Sequence, residues 1–230
     1  MTNAPFDVVF LDAGGVLVAP NPRVITERFT AAGFAIDPAR VLDAHYQGVR
    51  ALDEAHAEPE VFDDYHVAFA THLGLDGSSA SDAATVLRLL WETSGLWNQP
   101  IPGAAEALAA LADVGIPIVI VSNADGTVAD LLAGTGLLQV GDGPGTSVAG
   151  IIDSGTVGVA KPDPRIFELA LDVVGATPDR AIHIGDTHQY DVRGARAAGI
   201  RPVLIDHLGI RTDVDCERVA HLVDVVELLV

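Results

Sequence analysis

Four short stretches of this 230-residue chain carry polar groups whose types and order could do chemistry. In the first, Val8-Val9-Phe10-Leu11-Asp12-Ala13-Gly14-Gly15, an apolar run delivers a carboxylate and two glycines follow at once. A carboxylate so placed can attack phosphorus or carbon and form a covalent intermediate; an Asp before glycine also commonly caps a turn. The second, Ile118-Val119-Ile120-Val121-Ser122-Asn123, ends in a hydroxyl and an amide. They can hold an anionic oxygen, or serve only a polar turn or a helix cap. The third, Val157 to Pro164, contains Lys161, the only lysine of the chain. Its ammonium is a compact point charge suited to a phosphate and to a carboxylate nucleophile. The fourth, Ile182-His183-Ile184-Gly185-Asp186-Thr187-His188-Gln189-Tyr190-Asp191, ends an apolar run in two carboxylates. Asp186 and Asp191 together make a hard-oxygen site fit for Mg2+.

Such groups work only if elements bring them together. Five apolar runs read as buried parallel strands: Val8 to Leu11, Ile116 to Val121, Ile151 to Ile152, Ala181 to Ile184, and Pro202 to Ile205. Helical patterns fall between most of them, at Ala104 to Val114, Thr127 to Ala133, Arg165 to Val174 and Asp191 to Ala198. Alternating strands and helices predict right-handed crossovers and an open, doubly wound α/β sheet, Rossmann-like in plan. Ligands of such sheets bind at the carboxyl ends of strands, where all four polar stretches lie.

The segment from Pro20 to about Gln99 reads differently. It has no clear strand and four helical stretches, Arg23 to Ala32, Pro38 to Ala55, Pro59 to Leu73 and Ser81 to Trp91. Asp37 before Pro38, and Ser81 with Asp82 behind it, read as helix N-caps. The expectation is an all-α insertion over residues 20–98 on a core of residues 1–19 and 99–230, with Asn98 to Gly103 as the return hinge. Gly134 to Gly150 reads as a glycine-rich loop; it lacks the Lys-Ser/Thr ending of a phosphate-binding P-loop.

Taken as a set, these motifs resemble a haloacid dehalogenase-like (HAD) protein with a helical cap inserted after the first strand. Further matches are Lys161-Pro162-Asp163-Pro164 followed by Ile166-Phe167, and Gly194-Ala195-Arg196-Ala197-Ala198-Gly199. The resemblance covers essentially the whole chain and implies a strand order of 3-2-1-4-5. It implies Asp12 as nucleophile and Ser122 and Asn123 as holders of the transferring group, with Lys161 steadying the charge. Mg2+ would be bound by Asp12, the Gly14 carbonyl and Asp186, supported by Asp191.

One position departs from the pattern. Phosphatases of this family usually carry an Asp two residues after the nucleophile, as acid for the leaving group and base for water; this chain has Gly14. The metal can persist, because that position contributes only its backbone carbonyl. General acid–base help, typically worth about 10²–10⁴ in rate, is lost. Acyl phosphates, phosphoanhydrides and activated aryl phosphates need such help least. A halide also needs no proton, so a 2-haloacid dehalogenase is a second reading, and a non-catalytic phosphate-binding relative a third. A lysine-dependent phosphonate cleavage is set aside, because the cap has no lysine. His188, or His45, His56, His66 and His72 of the cap, could replace the missing acid, whereas His183 reads as packed in the core. Trp91 and Trp97 read first as cap packing. Arg23, Arg28, Arg40 and Arg50 read mostly as solvated helix faces.

The bulk composition limits partners. A formal charge of -19 repels nucleic acid and anionic membranes and makes a small anionic substrate depend on a local positive site. No apolar run reaches the ~20 residues needed to span a bilayer. The N-terminus lacks a basic stretch followed by an apolar one, and a single cysteine, Cys216, permits no intrachain disulfide. The expectation is a cytoplasmic hydrolase, monomeric or homodimeric.

Overall fold

The computed structural model describes residues 5–55, 63–91, 95–212 and 214–230. Its contacts divide the chain into two compact units, Met1–Val18 with Pro100–Val230, and Ala19–Gln99.

The larger unit is built on six parallel strands: β1 (Val8–Leu11), β2 (Ile118–Ser122), β3 (Gly150–Asp153), β4 (Ala181–Gly185), β5 (Arg201–Ile205) and β6 (Glu217–Val219). Across the sheet they run β6-β5-β4-β1-β2-β3. The order is thus the expected 3-2-1-4-5 with a sixth strand added beyond β5. Every residue of β1, β2 and β4 is buried, as parallel strands covered on both faces require. Leu11 faces Ile120 on one side and Ile184 on the other. Val8, Phe10, Val119, Val121 and Ile152 of the sheet share one core with Ile166, Phe167 and Ala170 of the helix Arg165–Val174.

The order in which strands are added to the sheet reverses between β1 and β4, and in open α/β sheets this switch point is where ligands bind, outside the carboxyl ends of the strands. Two departures from the expected elements stand out. The stretch Gly134 to Gly150 is not all loop: Leu138–Val140 and Thr146–Val148 pair in parallel register, and Gln139 staples the turn by bonding both the N–H and the C=O of Gly145. The expected helix from Asp191 begins earlier, as a wide π-type turn over His188–Val192 that leads into the α-helix Arg193–Ala197.

Apart from Ala19 and Gln99, which belong to the paired two-residue strands Val18–Ala19 and Gln99–Pro100, the regular structure of the smaller unit is helical among its described residues, with α1 (Pro22–Ala31), α2 (Val41–Glu54), α3 (Asp63–His72) and α4 (Gly77–Trp91). Asp37 caps a short turn, Pro38–Arg40, that runs into α2. Ser81 is not a cap. It lies one turn inside α4, its hydroxyl bonding back to the Gly77 carbonyl. In α2, Val41, Ala44, His45, Gly48, Val49 and Leu52 form a buried stripe at helical spacing. Gly48 is needed for close approach to α3, because a Cβ there would stand 2.7 Å from the Tyr65 ring. Trp91 and Trp97 stack edge to face at 5.5 Å, and His45, Tyr65 and His66 pack around them. His45 and His66 are buried in this aromatic cluster, with His45 Nδ1 2.9 Å from the Tyr65 hydroxyl. They are therefore packing residues rather than rim acids; His56 lies outside the described residues. No described helix is long and apolar enough to cross a membrane.

Candidate active site

Asp12 follows β1 directly. Its backbone N–H donates to the Ile184 carbonyl at 2.9 Å, so the chain is still held to β4 where the carboxylate emerges. The next residues fold back tightly, with the Gly15 N–H donating to Val18 and the Leu17 and Val18 N–H groups donating to Ala13. Gly15 takes φ +68, which glycine adopts without strain. None of these bonds uses the Gly14 carbonyl. Asp12 Oδ1 accepts from the Ala13 N–H at 2.7 Å and from Lys161 Nζ at 2.9 Å, and Oδ2 takes part in neither bond.

Lys161 is 3% exposed, and its ammonium bridges two carboxylates, Asp12 and Asp191, the latter at 2.7 Å. Burial works against the cation, but the two carboxylates outweigh it and hold its pKa above the ordinary lysine value. Its main chain is gripped as well. Asn123 Oδ1 accepts from the Lys161 N–H at 2.7 Å, and Asn123 Nδ2 donates to the Lys161 carbonyl at 2.9 Å. This is a different occupation from the one expected for Asn123. Its amide clasps the lysine backbone, whereas Ser122 stands buried at the end of β2.

Asp191 is fully engaged. Oδ1 accepts from Lys161 Nζ and from His183 Nε2 at 2.9 Å, and Oδ2 accepts from the Thr187 N–H at 3.0 Å and the Thr187 hydroxyl at 2.5 Å. Burial opposes its ionisation, yet Lys161 and His183 hold the carboxyl far below the usual carboxylate range. Gly185 makes room for it, since a Cβ at that position would stand 2.1 Å from the Asp191 carboxyl carbon. Burial pulls His183 below the ordinary histidine value, against the Asp191 hydrogen bond. Asp186, buried, completes the group.

Asp12, Asp186 and Asp191 each bring a carboxylate oxygen within 4.8 Å of the others. Burial, with Asp191 and Asp186 adding to it, raises Asp12 against the pull of Lys161, and its pKa is pushed up to about 7. Carboxylates crowded in this way fit a hard dication that takes oxygen ligands. The oxygens of Asp191 already accept four hydrogen bonds, two on each.

Asp153, at the end of β3, was missed by sequence reasoning. Its carboxylate accepts from the Gly126, Val128 and Gly155 N–H groups and so fixes the loop that follows Asn123. The signal was there in Asp-Ser-Gly at the end of a strand, but that apolar run, Ile151 to Ile152, is the shortest of the five. His188 lies 3.6 Å from Asp215, an exposed partner.

Comparison with known proteins places the chain. The haloacid dehalogenase-like hydrolase family profile matches residues 6–199. A phosphoserine phosphatase of Thermus thermophilus is 49% identical over 63 residues, 27% of this chain and 25% of that protein. A phosphoglycolate phosphatase of Rhodospirillum rubrum is 31% identical over 147 residues, 61% of this chain and 58% of that one. The matched segments thus span from a quarter to somewhat over half of these relatives. In fold, the chain resembles the HAD-hydrolase YfnB of Bacillus subtilis, solved bound to magnesium, with a TM-score of 0.62 at 15% identity over 97% of this chain and 98% of that one. With a family match across most of its length and a six-stranded sheet in the expected order, this chain belongs to the haloacid dehalogenase-like hydrolases.

Proposed function

We propose that the protein is a magnesium-dependent phosphatase acting on a small phosphorylated metabolite through an aspartyl phosphate on Asp12. The observation that carries this reading is the Lys161 ammonium, buried and shared between Asp12 and Asp191 beside a third carboxylate. The phosphatase names of the two relatives support it.

Asp12 Oδ2 lies outside the bonds that hold Oδ1, and it is the atom we assign to attack. The Oδ2–phosphorus bond forms as the bond to the leaving oxygen breaks, and that oxygen departs with the electron pair. Water then attacks the phosphorus, the aspartyl bond breaks, phosphate is released and the carboxylate is restored. Lys161 offsets the negative charge gathered on the phosphoryl group, Ser122 faces one of its oxygens, and Asn123 keeps Lys161 in place. Asp12, Asp186 and the Gly14 carbonyl would hold Mg2+, backed by Asp191. When bound, the ion acts as a Lewis acid on the phosphoryl oxygens. The helical unit, residues 20–98 in our boundaries, serves as the cap that selects the substrate.

Gly14 offers no proton to the leaving oxygen, so the best substrates are acyl phosphates, phosphoanhydrides and activated aryl phosphates. Gly14 also favours a second reading, 2-haloacid dehalogenation, in which halide departs without a proton. A panel of phosphorylated compounds and 2-haloacids, with and without magnesium, separates the two. Metal-dependent phosphate release that Asp12→Asn abolishes is the expected result. Equal turnover by Asp12→Asn ends the nucleophile assignment, and metal-independent halide release moves the reading to the dehalogenase.

A further inference from the structure

The proposed reaction gives no task to the histidine buried in the middle of the sheet. His183 sits in the middle of β4 with no exposure, beside Phe10 of β1 and Pro202 of β5 in register, and against the Phe167 ring at 4.8 Å. Its neighbours on the strand, Ala181, Ile182 and Ile184, are apolar. An aliphatic side chain would suit such a place better unless the ring's polar edge is used.

We propose that His183 is a positioning residue, whose ring N–H holds Asp191 so that the Lys161 ammonium stays shared between Asp191 and Asp12. The inference rests on the reading of Lys161 as the charge partner of Asp12. His183 Nε2 is 2.9 Å from Asp191 Oδ1, the same oxygen that takes Lys161 Nζ at 2.7 Å. An ionised carboxylate only accepts, so the proton of this bond sits on Nε2. Two donors on one oxygen divide its charge between them. Without the ring, Oδ1 would face Lys161 alone and draw the ammonium away from Asp12, at present 2.9 Å distant. Thr187 pins only the other oxygen and cannot prevent that shift. His183 therefore acts through Asp191 and Lys161 without touching substrate, in the manner of the outer partners that orient ligands in metal sites.

The composition supplies an unusually selective test. Lys161 is the only lysine, so protein labelled with 15N at the lysine Nζ has one side-chain ammonium signal, readable without substrate. His183→Leu is expected to shift or broaden that signal and to lower kcat by about ten- to a hundredfold, with KM little changed. His183→Gln, whose amide can donate from the same strand position, is expected to keep the signal and recover most of the rate. An unchanged ammonium signal in folded His183→Leu, or equal loss in both variants, overturns the proposal. Should His183→Leu fail to fold, 15N-labelled histidine in the wild-type protein decides: protonation at Nε2 supports the proposal and protonation only at Nδ1 overturns it. If the ammonium responds as expected but no phosphate compound is hydrolysed, the positioning role stands and the phosphatase reading falls.

Discussion

At the scale of single residues, Lys161 carries the largest stake. Removing it, as in Lys161→Met, leaves buried Asp191 and partly buried Asp12 without their cation, which costs about 3–5 kcal/mol where a buried pair loses one partner. Denaturant titration should show that loss together with loss of turnover. Gly14 makes the opposite prediction. It is not among the glycines with positive φ, so a side chain there adds no left-handed backbone strain. Gly14→Asp should raise turnover of alkyl phosphates at least about tenfold, part of the 10²–10⁴ that acid–base help supplies. No gain in a folded variant would mean that another group already gives the proton. Asp12 sets a pH dependence. With a folded pKa of about 7, above its value in the unfolded chain, the folded state holds an extra proton over the interval between. Its contribution therefore lowers stability as pH rises from about 4 to 7. In thermal melts of metal-free protein this group should pull Tm down across that window. Added magnesium should restore Tm, more strongly at pH 8 than at pH 5, because Asp12 must be ionised to bind it.

At the scale of elements, what can be read from sequence depends on how far apart the partners lie. Five strands of the core were legible because each is built on an apolar run, whereas β6, Glu-Arg-Val, carries no such signal; the Asp37 cap was legible because its signal sits beside its helix. Three of the four chemical stretches were legible as strand ends from those apolar runs; the third was not one, because Lys161 lies in a loop after the short helix Ser154–Val157. The contacts that organise them were not legible. Asn123 meets Lys161 across 38 positions and Lys161 meets Asp191 across 30, and no local pattern announces either pairing. Ser81 was misread because a Ser before an apolar run resembles a cap even one turn inside a helix. Asp153 escaped because Gly150–Asp153 is short and only partly buried. Its carboxylate nevertheless ties down the loop after β2, and Asp153→Ala should cost about 2–3 kcal/mol in denaturant titration, since charge-assisted bonds to buried backbone would go unmade. Loss of activity beyond that expected from destabilisation would show the loop holding Ser122 and Asn123 in place.

For the molecule as a whole, the charge of -19 opposes an anionic substrate, and the local attraction open to it comes from the Lys161 ammonium and, in the proposed reading, from bound Mg2+. An anionic substrate approaches through a repelling field and is attracted only close to the site. Salt shortens that field from about 30 Å at 0.01 M to about 8 Å at 0.15 M. Raising the salt over this range should increase kcat/KM for a dianionic substrate severalfold while leaving kcat nearly constant; an unchanged value would mean that association is not limited by the field.

The order of strands in the sheet also sets a timetable for synthesis. Val8–Leu11 bonds on one side to Ile118–Ser122 and on the other to Ala181–Gly185, so the first strand made is seated only by segments made far later. The whole stretch Ala19–Gln99 leaves the ribosome before either neighbour exists. At about 5–20 residues per second, the nascent apolar strand that ends in Asp12 waits roughly 10–35 s for its last partner. During that wait it is a bare hydrophobic strand, open to chaperones and to wrong partners alike.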